Sequence, residues 1–201
     1  MSAKPKRLPA TVRREQILAV ATELFARQGF HGTTTRQIAE RAGVKEVILF
    51  RLFPSKHDLY WAVMEAKCAE SPGQQKLATA IAASTDDRAL FIGLAQEMIE
   101  RTLRDPTLMR LLLFSALEAH ELSARFSQTY MTQYYETLAG HIRRRQKAGA
   151  YRKVEPVLAA RAFLGMVFQY AMARQLFGVA AQDDRQVAET FVDLWLKGIE
   201  Q

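Results

Sequence analysis

Residues 33–53, TTTRQIAERAGVKEVILFRLF, read as two short helices joined by a tight glycine-containing turn. Thr34, followed three residues later by Gln37, is a capping box in which each side chain satisfies a backbone donor left open at a helix start. Gly43 is the stop signal. Ile38 and Ala42 share a face at i and i+4, and Val44 seals the corner before a second helix that starts near Lys45. Such a pair is a helix-turn-helix, the form that lays its second helix in the major groove of DNA. The second helix, KEVILFRLF, is unusually apolar. Leu49 and Phe53, four apart, can anchor it to a core, but Val47, Ile48, Phe50 and Leu52 leave little polar surface. Either it is buried all round, or its outward side chains meet thymine methyl groups.

On the N-terminal side, Ile17, Ala21, Leu24 and Phe25 recur at helical spacing within residues 11–28 and Gly29 closes the run, so a supporting helix completes a three-helix unit. Residues 1–10 are basic and contain Pro5 and Pro9, which predicts a flexible arm, either solvated or tracking DNA. On the C-terminal side, Pro54 and the Ser55–Asp58 capping pair start a helix with Leu59, Val63 and Ala66 on one face. It would run without a linker from the DNA-binding unit into the rest of the protein, so that movement of one end tilts the other.

After Ser71, Pro72 and Gly73 only helical periods follow, over roughly 74–82, 86–104, 106–117, 119–148, 155–177 and 184–199. No stretch alternates as a strand would. The predicted fold is all-α, with about nine to ten helices: an arm (1–10), a helix-turn-helix DNA-binding domain (11–56) and a larger helical domain (57–201). In the long helix after residue 119, Phe126, Tyr130 and Tyr134 form an aromatic stripe that either fills a core or lines a pocket supplying partners for the tyrosine hydroxyls. The Arg143, Arg144, Arg145 and Lys147 run complements a helix dipole and is not counted as a nucleic-acid site. The last two helices are apolar over more than one face. Phe163, Val167, Tyr170 and Ala171 on the first, with Phe191, Leu194 and Trp195 on the second, are predicted to form a subunit interface; a wide intramolecular core is the alternative.

The net charge of +7 is unevenly placed. Residues 1–58 carry 11 Lys or Arg against 5 acids, +6 of the total, so the N-terminal part is suited to a polyanion. With 49% hydrophobic and 24% charged residues the chain is of the soluble globular class. No apolar run is read as long enough to span a membrane and no signal-peptide core is present, so a cytoplasmic protein with no membrane partner is expected. Cys68 is the single cysteine, which rules out a disulfide within one chain. Catalytic patterns are missing. His120-Glu121 begins a zinc-protease motif, but Ala124 stands where the second histidine belongs, and there is neither a phosphate-cradling glycine loop nor a Gly-x-Ser-x-Gly elbow. No enzyme activity, metal or cofactor is expected. For a largely apolar effector, the residues nominated are Met98, Phe114, Glu118, His120, Phe126, Tyr130, Tyr134, Gln169 and Arg174.

Residues 11–63 resemble the DNA-binding domain of the TetR family of bacterial transcriptional regulators. The resemblance rests on ILAVATELFARQGFHGTTTRQIAERAGVKEVILFRLFPSKHDLYWAV: a helix ending in a Gly-aromatic pair, a Thr-rich helix start, an Ile-Ala-x-x-Ala-Gly-Val turn, a closing Phe and Pro-Ser-Lys, in order. It implies a homodimer on a palindromic double-stranded operator, usually a repressor, released when a small molecule fills a C-terminal pocket. It also implies that Thr34, Thr35 and Arg36 sit at the groove edge, with Arg36 reaching a guanine, that Lys56 holds a phosphate, and that Lys45, Glu46, Val47, Ile48, Phe50 and Arg51 face the DNA. Phe50 and Leu52 depart from the family's usual tyrosine and polar aromatic, which predicts weaker phosphate anchoring there, with Arg51 and the basic arm compensating. Two alternatives are weighed against this: a DNA-binding module whose large domain recruits a protein partner without sensing a ligand, and an all-α enzyme, which the missing catalytic motifs disfavour.

Overall fold

The computed structural model describes residues 9–70, 73–118 and 121–200. The proposed arm therefore lies almost wholly outside the described residues, as does His120. The first helix, α1 (Ala10–Gln28), buries Ile17, Ala21, Leu24 and Phe25, and ends where the Gly29 N–H returns to the Phe25 carbonyl at 2.9 Å. The helix α2 (Thr35–Arg41) begins with the expected reciprocal cap: Gln37 N–H donates to Thr34 Oγ1 at 3.1 Å and Thr34 N–H to Gln37 Oε1 at 2.9 Å. Gly43, at φ +64°, turns the chain in the left-handed region that suits a residue without Cβ. There follow α3 (Glu46–Leu52), anchored by buried Leu49 and Phe53, and α4 (Lys56–Glu70), capped by the Ser55 hydroxyl accepting from the Asp58 N–H at 3.1 Å.

The remaining helices are α5 (Gly73–Ala83), α6 (Asp87–Arg104), α7 (Thr107–Leu117), α8 (Glu121–Phe126), α9 (Thr132–Lys147), α10 (Pro156–Phe177) and α11 (Asp184–Ile199). One turn of π-helix, Ser127–Met131, joins α8 to α9, with the Thr132 N–H reaching the Ser127 carbonyl. Among the described residues there is no β-strand; Tyr151 and Glu200 form a single antiparallel bridge.

Packing divides the chain into two compact units, Met1–Ser71 with Arg110–Ser123 and Pro72–Met109 with Ala124–Gln201. The N-terminal unit thus runs past residue 56, and the reason is visible in α4. Tyr60, Trp61, Ala62, Val63 and Met64 are all buried, which a helix with one covered face cannot achieve. Phe25 of α1 packs edge-on to Tyr60 at 4.8 Å, while the Tyr60 hydroxyl donates to the Leu111 carbonyl at 2.7 Å. Burial and the nearby Glu118 charge push the Tyr60 phenol far above its ordinary pKa, a hydrogen bond with the Ser115 side chain acting the other way, so the phenol keeps the proton it donates.

In the C-terminal unit, Phe91, Phe163 and Trp195 form an aromatic centre with ring separations of 4.4–5.3 Å, and Trp195 Nε1 donates to the Ala159 carbonyl at 3.0 Å. This corrects the predicted interface. Phe163, Val167, Ala171 and Trp195 are buried within their own unit and have no surface to offer a partner; Tyr170 and Phe191 are half-buried, and Leu194 alone of the seven is exposed, at 62%. The membrane reading also needs correction. By length and composition α10 is apolar enough to cross a membrane. Its inner side, however, packs into this core, and Arg161 and Arg174 interrupt it, as in a core helix that is apolar on both sides.

Asp87, at the start of α6, ties it to α9 twice: His141 Nε2 lies 2.9 Å from Oδ1 and Arg145 Nε donates to Oδ2 at 2.6 Å. Burial opposes ionisation of Asp87, but the surrounding Tyr151, Arg145 and His141 side chains outweigh it and hold its pKa below the ordinary value. Burial depresses the His141 pKa, with Asp87 acting in the opposite direction.

Candidate nucleic-acid interface

The exposed side of α3 carries what the sequence assigns to it. Val47 is 71% exposed and Phe50 41%, flanked by exposed Lys45 and Arg51, while Glu46 and Ile48 are half-buried. With Leu49 and Phe53 anchoring the inner side, α3 is not buried all round.

Several nominated polar residues are already engaged. The Thr34 hydroxyl caps α2. Thr35 lies next to α3 through its hydroxyl, which donates to Glu46 Oε1 at 2.5 Å. Arg36 Nε donates to Glu40 Oε1 at 2.8 Å, and that hydrogen bond raises its already high pKa. Both partners are largely exposed, so the pair contributes little, and the guanidinium is free to exchange it for the two acceptors, N7 and O6, that a guanine edge presents together. The Lys56 ammonium sits 4.2 Å over the Phe30 ring; burial lowers its pKa and the Glu118 charge opposes that shift. One cation escaped the sequence reading: exposed Arg14 of α1 lies 5.0 Å over the ring of Phe53, at the end of α3. Its signal was the Arg13-Arg14 pair, hidden in a helix read only for its apolar face.

Residues 110–118 hold this surface from behind. Arg110 Nε donates to the Ala26 carbonyl at 2.6 Å, and Glu118 Oε2 accepts from the backbone N–H groups of Phe30 and His31 at 3.0 and 3.2 Å. Two successive N–H groups turned to one side form a concavity for an anion, and Gly29, at φ +75°, gives the chain the turn that makes it. A Cβ on Gly29 would stand 2.3 Å from Glu118 Oε1 and 2.9 Å from the Phe114 ring. Glu118 and Phe114, nominated for an effector, thus belong to the seat of the helix-turn-helix.

The other effector residues are scattered. Phe126 is buried and packs against Tyr130 at 5.1 Å, while Tyr134 and Met98 are half-buried against the core of their unit. Arg174 is paired with Asp184, and Gln169 is exposed on α10. An open polar cavity of about 370 Å³ in the C-terminal unit is lined by residues including Asp86, Arg88, Arg145 and Glu200, and by none of the nine nominated.

Comparison with known proteins accounts for both parts of the chain. Residues 17–63 match the tetR family of bacterial regulatory proteins, and residues 90–198 match the C-terminal domain of AefR-like transcriptional repressors. The transcriptional activator FasR of Mycolicibacterium smegmatis is 44% identical over 59 residues, 29% of this chain and 27% of that protein. The nucleoid occlusion factor SlmA of Pasteurella multocida is 29% identical over 130 residues, 63% of this chain and 64% of that protein. The chain thus spans less than two thirds of the length of either relative. The fold as a whole is similar to that of the transcriptional regulator FadR from Bacillus subtilis, crystallised with stearoyl-CoA, at a TM-score of 0.75 and 18% identity over 92% of this chain and 99% of that one. With its helix-turn-helix and its helical C-terminal domain both matched, the chain belongs to the TetR family of DNA-binding transcriptional regulators.

Proposed function

We propose that the protein acts in the cytoplasm as a homodimeric repressor that binds a palindromic operator and is released by a small, largely apolar effector. The observation that carries the DNA reading is the outward face of α3, where Val47 and Phe50 stand exposed between Lys45 and Arg51 on a helix seated by Leu49 and Phe53. Apolar groups between cations suit thymine methyls bracketed by phosphates and base edges. Thr34, Thr35, Arg36 and Lys56 take the groove edge and backbone, with Arg14 as a further phosphate contact. Fragments of the source genome selected by binding at moderate salt are expected to share a palindrome with thymines opposite Val47 and Phe50. Recovery of unrelated fragments would sink the proposal.

Repression is supported by the match to AefR-like repressors, and an apolar effector by the stearoyl-CoA bound to FadR. Linkage requires such a ligand to raise the melting temperature and lower operator affinity together. A broad compound screen without a hit favours recruitment of a protein partner instead.

Dimerisation is supported by the outer stripe of α10, where Leu158, Ala162, Gly165, Phe168, Met172 and Leu176 follow one another at helical spacing and are exposed or half-buried. Leu158 and Leu194, each 62% exposed, directly precede the Ala159 and Trp195 pair that fastens α10 to α11. Leu158→Glu with Leu194→Glu is expected to give a folded monomer in light scattering, with operator affinity reduced at least tenfold, in the range of about 1.4 kcal/mol per decade. A dimer of unchanged strength removes this face from consideration.

A further inference from the structure

Thr35 and Glu46 come from the two halves of the helix-turn-helix, and the 2.5 Å hydrogen bond between them joins α2 to the first residue of α3. Both side chains are half-buried, and Arg36, which the proposed interface assigns to a guanine, is close enough to feel the Glu46 charge. The hydroxyl occupies Oε1 and leaves Oε2 to accept from elsewhere. A carboxylate on a surface that meets DNA is repelled by phosphates. It is equally repelled by the acceptor atoms that guanine and thymine show in the major groove. What it can accept from is an exocyclic amino group, N4 of cytosine or N6 of adenine, and cytosine is the usual partner of Glu.

We infer that Glu46, held in place by Thr35, is a specificity-determining residue that selects cytosine at one position of each operator half-site. This rests on the DNA-binding reading above. It adds a positive requirement to a helix that otherwise offers methyl contacts. Thr35 then acts as a positioning residue: it restricts the carboxylate to one direction, so that cytosine is favoured over bases reached only by another rotamer.

The test is a selection of full-length protein from a random duplex library, run in parallel for the wild type, Glu46→Gln, Thr35→Val and Thr35→Ser. The wild type is expected to enrich cytosine at one position per half-site. Glu46→Gln keeps the shape but adds an amide that can bond N6 and N7 of adenine together, so that position should move to adenine, with a change of about tenfold in the cytosine-to-adenine affinity ratio. Thr35→Val should flatten the preference at that position and no other, and Thr35→Ser should restore it. A Glu46→Gln profile identical to that of the wild type overturns the inference. So does a Thr35→Val protein that binds every site more weakly with an unchanged profile, which is the mark of a merely structural bond. Absence of any shared motif in the wild-type selection would instead defeat the DNA-binding reading, so the two failures are distinguishable.

Discussion

Gly29→Ala is expected to lower the unfolding free energy of the N-terminal unit by about 2.5–6 kcal/mol, combining backbone strain of about 1–3 with the loss of charge-assisted hydrogen bonds worth about 1.5–3. Gly29 lies at φ +75° and ψ −178°, a region essentially confined to glycine. The new methyl would also meet Glu118 Oε1 at 2.3 Å, so the carboxylate must leave the Phe30 and His31 N–H groups. Operator affinity should fall with stability, because the turn connecting α1 to α2 is what Glu118 holds. Chemical denaturation followed by circular dichroism measures the effect. The decisive comparison is a double-mutant cycle with Glu118→Ala: once the carboxylate is gone, Gly29→Ala should cost clearly less, since only the backbone strain and the close approach to the Phe114 ring remain. Additive costs would show that the two residues do not meet.

The second large effect is expected in the other unit. Phe163→Ala should cost about 3–5 kcal/mol, as for other large aromatic truncations in a packed core. Phe163 is fully buried between Phe91 and Trp195, so truncation removes its contacts with both rings. The two tryptophans fall one in each unit, Trp61 in the N-terminal and Trp195 in the C-terminal. In a Trp61→Phe background the fluorescence of Trp195 reports its own unit alone, and its denaturation midpoint should drop sharply with Phe163→Ala. A midpoint that stays put would return Phe163 to the subunit interface.

That outcome bears on how much the sequence could tell. The helix-turn-helix was legible because its signals are local: the Thr34–Gln37 cap, the Gly43 turn and the Leu49–Phe53 spacing each involve residues within one or two turns. The helix spans of the larger domain were legible for the same reason. What failed was the choice of face. Along α10 both stripes are apolar, and periodicity records that a helix has apolar sides without recording which side is covered. Phe163 and Val167 turned inward while Leu158 and Leu176 remained outside.

The aromatic stripe was legible in part. Phe126 is buried and still meets Tyr130 at 5.1 Å, as a core-filling stripe requires, but the π turn at Ser127–Met131 inserts a residue's worth of rotation before Tyr134. Nothing in the residues themselves announces that turn. Glu118 was legible as a polar group with a task, but its partners lie 88 and 87 positions away in the chain, beyond the reach of any local pattern.

The discontinuity of the N-terminal unit has a consequence during synthesis. Its first portion ends at Ser71, but Arg110, Leu111 and Glu118, which fasten α1 and α4, emerge only after roughly 40 further residues, a delay of roughly 2–8 s at about 5–20 residues per second. For that interval the nascent helix-turn-helix carries Tyr60 with its acceptor still missing and the Phe30–His31 concavity without its carboxylate. Its native form is thus reached after the chain has begun the C-terminal unit, and a fragment cut before residue 110 would remain in the nascent condition.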